Sequence, residues 1–130
     1  MEWLLRADLP IYSQLVEQIK LAIASGAFAP GERLASVRDL AAQAGVNPNT
    51  MQRALQELER EDLVFSQRTS GRFVTEDAEA IGRVKRTLAE DRIRELLAAL
   101  GALGYGGEEI ISLIRENVKD VKEESDEQNS

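Results

Sequence analysis

Asn47, Asn49, Thr50, Gln52 and Arg53 crowd into one short stretch of the chain. Asn and Gln side chains can pair bidentately with adenine and Arg with guanine, each good pair discriminating by roughly 1–3 kcal/mol. Pro48, set among them, has no N–H and offers only apolar contact. Two further clusters carry similar chemistry: Ser36 with Arg38, and the run Arg68, Thr69, Ser70, Gly71 and Arg72. Gly71 would let the backbone approach a duplex closely, with Arg68 and Arg72 reaching the minor groove or phosphate. Plainer alternatives stand beside each reading. Arg53 could pair with Glu57, four residues on, Arg38 with a nearby acid, and residues 68–72 could be an ordinary hairpin turn.

Bond-making chemistry has little to work with. The 130 residues contain no cysteine and no histidine. Disulfides, thiolate sites, Cys/His zinc sites and His-based triads are therefore excluded. The acidic pairs Glu76/Asp77, Glu90/Asp91 and Glu108/Glu109 lie near helix starts or on helix surfaces, where solvation and the helix dipole explain them. "GYGG" lacks the Lys-Ser/Thr that completes a phosphate loop. The expectation is a protein that is not an enzyme and needs no cofactor or metal. The net charge is −7, but residues 32–74 carry six Arg against six Asp/Glu, and residues 75–130 carry eight basic against fourteen acidic side chains. The middle of the chain is thus neutral, with all its positive charge on Arg. No apolar run approaches the roughly 18 residues of a membrane span, and "MEWLLRADLP" is too short and acidic for a secretory leader. A cytoplasmic protein without a membrane partner is expected.

The elements that must position these residues follow from punctuation. "IYSQLVEQIKLAIASGAF" has apolar residues at 12, 15, 16, 19, 22 and 23, one helical face. Asp8 is the expected N-cap, with Pro10 in the first turn and Gly26 at the end. Ser36 and Asp39 form a capping pattern that starts a helix near Val37. Gly45 ends it in the left-handed conformation. Asn47 caps the next helix, with Pro48 at its first position, where its fixed φ helps. The two breakers therefore separate the helices of a helix-turn-helix, whose second helix presents its leading turn to base edges and its N–H groups to phosphate. Leu40, Ala41, Ala44, Val46, Met51, Ala54, Leu55 and Leu58 read as core. Asp62 must turn the chain out of the helix at positive φ, which Asp tolerates. "LVFSQ" and "GRFVT" then form a hairpin, the wing.

A long helix from about Asp77 carries apolar positions 81, 84 and 88, then 93, 96, 97, 100 and 103. The step from 88 to 93 rotates the stripe, so one helix has a proximal face against the winged domain and a distal face for something else. Gly104–Gly107 stop it, and a last helix follows with Ile110, Ile111, Ile114, Val118 and Val121 on one side. A pair of helices seldom makes a stable core alone, so a second copy is expected to cover Ile93, Leu96, Leu97, Leu100, Leu103, Ile110, Ile111, Ile114 and Val118 in a homodimer. A small-molecule effector, if one acts, is placed at these C-terminal helices. The division is 1–75 winged domain, 76–122 helical dimerisation region and 123–130 polar, disordered tail. The fold class is mainly α with a small β-hairpin: a winged helix-turn-helix followed by a two-helix extension.

In this order and spacing, "IYSQLVEQIKLAIASGAFAPGERLASVRDLAAQAGVNPNTMQRALQELERE" and "SGRFV" resemble the GntR family of bacterial transcription regulators, over roughly residues 9–75. The tail with "LGYGGEEIISLIRE" looks like the YtrA-type branch, which has only two helices after the winged domain. The resemblance implies a dimeric repressor on double-stranded operator DNA, often near transporter genes, and it matches Arg38 to a DNA-contacting arginine. Three features depart from the pattern. Ala35 replaces a proline, Asp62 a glycine, and the pair Gly106-Gly107 a capping serine. A winged helix used only for protein contacts is the alternative. It would not need the Asn/Gln/Arg set.

Overall fold

The breakers act where the sequence places them. The structure, a computed structural model, describes residues 1–128, with side chains through Val121. In chain order its elements are α1 (Ile11–Ser25), α2 (Val37–Ala44), α3 (Pro48–Arg60), β1 (Val64–Gln67), β2 (Gly71–Val74), α4 (Ala78–Ala102) and α5 (Gly107–Gln128). Gly45 closes α2 at φ 70°, its N–H on the Ala42 carbonyl (3.3 Å) and the Val46 N–H on the Ala41 carbonyl (3.0 Å). That is a Schellman closure. Asn47 is extended, and its Oδ1 accepts the Asn49 N–H at 2.8 Å as Pro48 opens α3. A second Schellman pair ends α3, Leu63 N–H to Leu58 (3.0 Å) and Asp62 N–H to Glu59 (3.1 Å), with Asp62 at φ 61°. Asp62 therefore takes the positive φ expected of it.

The chain divides into two compact units, Met1–Leu88 and Ala89–Ser130. In the first, α1 and α2 pack on α3. Met51, Ala54, Leu55 and Leu58 of α3 are wholly buried with Leu15, Ile19 and Ile23 of α1 and Leu40 and Ala41 of α2. Ala44 and Val46 pack on this core from its edge. Ala80 joins it, with Ile81 and Val84 packed against it, so the start of α4 belongs to the winged unit. This carries the unit past the boundary at residue 75 that the motif suggested.

The wing is antiparallel, with Val64 opposite Val74, Phe65 opposite Phe73, Ser66 opposite Arg72 and Gln67 opposite Gly71. A third segment joins it. Residue 33 bridges Phe73, with Leu34 N–H on the Arg72 carbonyl (2.9 Å) and Val74 N–H on the Glu32 carbonyl (2.9 Å). β2 is therefore the central strand.

Asp8 does not cap α1. Pro10 occupies the cap position without a side-chain bond, and Asp8 pairs with Arg6 at 2.7 Å. The segment before α1 is held in another way. Gln18 accepts from the Leu4 N–H (3.0 Å) and donates to the Leu4 carbonyl (2.6 Å), and Gln14 does the same for Arg6 (2.7 and 2.7 Å). One turn of helix and two residues of extended chain have matched spacing here, so two carboxamides hold a strap whose Trp3 and Leu5 rest on the core.

In the second unit Gly104, at φ 97°, ends α4's course. α5 starts at Gly107, where Glu109 reaches back to accept the Gly106 N–H at 3.2 Å. That carboxylate supplies a capping bond in place of the missing serine. Ile110 and Leu113, one turn apart, form the inward stripe of α5. Ile110, expected at an interface between copies, is only 6% exposed within its own chain. The α5 backbone is helical through Gln128, where a disordered tail was expected from residue 123. Glu, Lys and Gln are good helix formers, and they extend the helix. Residues 129–130 of that tail lie outside the described residues. No single helix among the described residues is long and apolar enough to cross a membrane.

Among the described residues, no atom beyond the adjoining residues lies within 4 Å of where a Cβ on Gly45 would sit. A side chain there meets only the backbone cost of the left-handed conformation, roughly 1–2 kcal/mol for an ordinary residue. In urea denaturation, Gly45→Ala is expected to lose about 1 kcal/mol or more and Gly45→Asn less. Equal losses would mean that the left-handed preference of residue 45 does not set the cost.

Candidate nucleic-acid interface

The outward stripe of α3 is the reverse of its buried one. With Met51, Ala54, Leu55 and Leu58 inside, helical spacing turns Asn49, Gln52, Arg53 and Gln56 outward. Asn49, Arg53 and Gln56 are exposed and Gln52 half-buried. The leading turn holds fewer free donors than a helix start usually does. Pro48 has no N–H, the Asn49 N–H is taken by Asn47 Oδ1 (2.8 Å) and the Thr50 N–H by the Asn47 carbonyl (3.0 Å). The N–H groups expected to meet phosphate at α3 are therefore satisfied internally, and the turn offers side chains instead.

The α2 start is different. Ser36 Oγ accepts only the Asp39 N–H (3.1 Å), and the first main-chain bond runs from Leu40 to the Ser36 carbonyl (2.8 Å). The Val37 and Arg38 N–H groups have no partner among the described residues. The Arg38 side chain is exposed and makes no ion pair among them, so the surface-pair reading of Arg38 is not realised. An arginine without an ion pair, on a helix whose first N–H groups are open, has the chemistry to meet an anion.

Arg53 is not paired with Glu57. Its guanidinium stacks on the Tyr12 ring of α1, 4.0 Å from the centroid, while Glu57 pairs with Arg60. Stacking covers the face of the guanidinium and leaves its N–H edge exposed, contributing about 0.5–1 kcal/mol at a surface. Asn47 and Thr50 also line a groove of about 400 Å³ against Leu5 and Ala7 of the N-terminal strap.

In the wing, Arg68, Thr69 and Ser70 are exposed at the tip, where the Ser70 N–H bonds the Gln67 carbonyl (3.1 Å) and Gly71 takes φ 103°. Arg72 is the correction. Its Nε donates to Glu59 at 2.7 Å and its Nη2 to Gln52 at 3.2 Å. Strand alternation explains this: Val74 faces the core, so Arg72, two residues away, faces the same side. Ser66, directly opposite, adds its hydroxyl to the same Glu59 oxygen. Arg72 thus ties the wing to α3 and is engaged within the protein. Partial burial pulls the Glu59 carboxyl upward, but the hydrogen bonds from Ser66 and Arg72 and the Arg72 charge outweigh it. The net shift is downward from the ordinary 4.5.

Three residues that sequence reasoning did not single out belong to this surface. They are Tyr12 under Arg53, Glu59 behind Arg72, and Arg33, whose side chain lies against Gly71. The alternation of β2 could have revealed the inward turn of Arg72. The other two contacts are tertiary and leave no local signal.

A helix-turn-helix with an outward Asn/Gln/Arg stripe, an unpaired arginine at the preceding helix start and a three-segment wing defines a winged-helix DNA-binding protein. Residues 11–74 match the model of bacterial regulatory proteins of the gntR family. The chain is 34% identical to the HTH-type transcriptional repressor YtrA of Bacillus subtilis, over 90% of this chain and 91% of that one. It therefore belongs to the GntR family of transcription regulators, on its YtrA-like side. A GntR family transcriptional regulator from Listeria monocytogenes superposes with a TM-score of 0.78 at 33% identity, covering 86% of this chain and 98% of that one. The AraR DNA-binding domain in complex with operator ORX1 superposes at 0.52 and 29% identity, over 58% and 96%.

A carboxylate with a lowered folded value stabilises the fold above its unfolded value, and that stability is lost as pH falls through the folded one. Chemical denaturation across the acid range is expected to show Glu59→Gln less stable than the parent at neutral pH, with the gap closing below about 4.5. A gap that stayed constant would mean that the Arg72–Glu59 contact contributes nothing through its charge.

Proposed function

We propose that this regulator is a dimeric repressor acting on an inverted-repeat operator, with transporter genes as its target class. Ser36, Arg38, Asn47, Asn49, Thr50, Gln52, Arg53 and the wing tip Arg68–Gly71 would form its DNA-contacting surface; Arg72 supports that surface from behind. The observation that carries the reading is the set of large apolar side chains left in solvent by the second unit. Ile93 is 53% exposed, Leu96 and Leu97 44% each, and Leu103, Ile111, Ile114 and Val118 are exposed with them. So many exposed large apolar side chains on two helices fit an interface with a second copy. The repressor assignment draws support from the name of the YtrA relative.

The energetics point the same way. One winged domain makes few bidentate contacts, at roughly 1–3 kcal/mol each. Two linked copies gain by effective concentration without any new contact. An inverted repeat then matches the two-fold axis of the dimer. An effector would act at the tail helices by altering how the copies associate.

Genomic fragments selected by the purified protein would give the operator. In gel shifts on that operator at two salt concentrations, Arg38→Ala is expected to abolish specific binding while leaving the mass on sizing unchanged. Leu97→Glu is expected to halve the mass and weaken binding to that of an isolated half-site. A parent chain that already runs as a monomer, or an operator without two-fold symmetry, would defeat the dimer reading.

A further inference from the structure

Of the two arginines at the hairpin, Arg68 stands exposed at the tip and Arg72 is taken up within the protein. Arg72 is bonded to Glu59 and Gln52. Arg33 lies on the opposite face of the same sheet. Its backbone bridges Phe73, so Arg33, Phe73 and Gly71 share the outward face by strand alternation. Gly71 is the diagonal neighbour of Arg33, within reach of a long side chain. A Cβ on Gly71 would stand 3.1 Å from Arg33 Nε and 3.6 Å from Nη2. The guanidinium therefore lies in the space that a side chain at 71 would fill.

No acid among the described residues pairs with it. Arg33 is exposed and makes no ion pair or side-chain hydrogen bond among the described residues. Two acids of the adjoining segments make other contacts: Glu32 accepts the Ala29 N–H at 3.3 Å, and Glu76 sits against Gly31. The stem is fixed at its root by main-chain bonds on either side, Val74 N–H to the Glu32 carbonyl and Leu34 N–H to the Arg72 carbonyl, each 2.9 Å.

We propose that Arg33, seated on Gly71, is the wing's phosphate-binding residue: it contacts the DNA backbone alongside the hairpin tip. Gly71 serves twice, once for its positive φ and once as the seat of the guanidinium. The contact rests on the DNA-binding role of the winged domain. It carries no sequence information, because a phosphate is the same at every base pair.

The test uses the duplex selected by the parent chain and a scrambled duplex of the same length, with affinity measured across a salt series. Arg33→Ala and Arg33→Gln are expected to weaken binding to both duplexes by the same factor. Each is expected to flatten the log–log salt dependence by about 0.9 per winged domain, the signature of one lost phosphate contact. Arg33→Lys should keep the slope. Gly71→Ala should weaken binding by a larger factor in the parent than in the Arg33→Ala background, the backbone strain being common to both. An unchanged slope and affinity in folded Arg33→Ala overturns the proposal. So does a loss confined to the selected duplex, which would mean base readout. A parent chain with no salt-dependent binding to any duplex overturns both this proposal and the DNA reading.

Discussion

One face of α3 is sealed, and most of the winged unit is arranged to keep it so. Met51, Ala54, Leu55 and Leu58 have no measurable solvent contact. They lock the rotation of the helix against α1 and α2, and rotation decides which side chains point away. A polar residue at any of the four would cost several kcal/mol without a partner and would free the helix to turn. The outward side chains Asn49, Arg53 and Gln56 contribute little to this. Their identity can change while the helix stays in place, which is how one scaffold can serve different DNA sequences.

Charge in this surface is divided between structure and ligand. Six arginines and six acids balance over residues 32–74. The contacts show how they are divided. Arg60 and Arg72 are paired with Glu57 and Glu59, and Arg53 is stacked on Tyr12. Arg33, Arg38 and Arg68 make no ion pair among the described residues. A neutral segment can therefore keep three arginines without an acid partner while Glu57, Glu59 and Glu61 are each held in ion pairs. The overall −7 is set largely by the C-terminal acids.

The sequence was most legible where backbone chemistry is local. Gly45, Asn47, Pro48 and Asp62 each have a conformational preference that acts over two or three residues, and each lies where that preference puts it. The apolar stripe of α3 was legible for the same reason. Side-chain partners across elements were not. Arg53 meets Tyr12, forty-one positions away in the chain. The third wing segment depends on pairing between residues 33 and 73. The strap is held by Gln14 and Gln18, whose i, i+4 spacing reads as an ordinary helix surface until the extended chain is laid beside it. The inward Arg72 was half legible, since strand alternation from Val74 predicts it once β2 is drawn.

Asp62 is the left-handed residue in the three-residue joint between α3 and β1. A glycine would sit there with less strain but would let the backbone sample a broad range of angles. An aspartate in the left-handed region occupies a narrow well. The wing is thus mounted on a stiff pivot, and the Arg72 tether limits its swing from the far side. Such a hairpin arrives at its target already aimed, with little angular freedom left to lose.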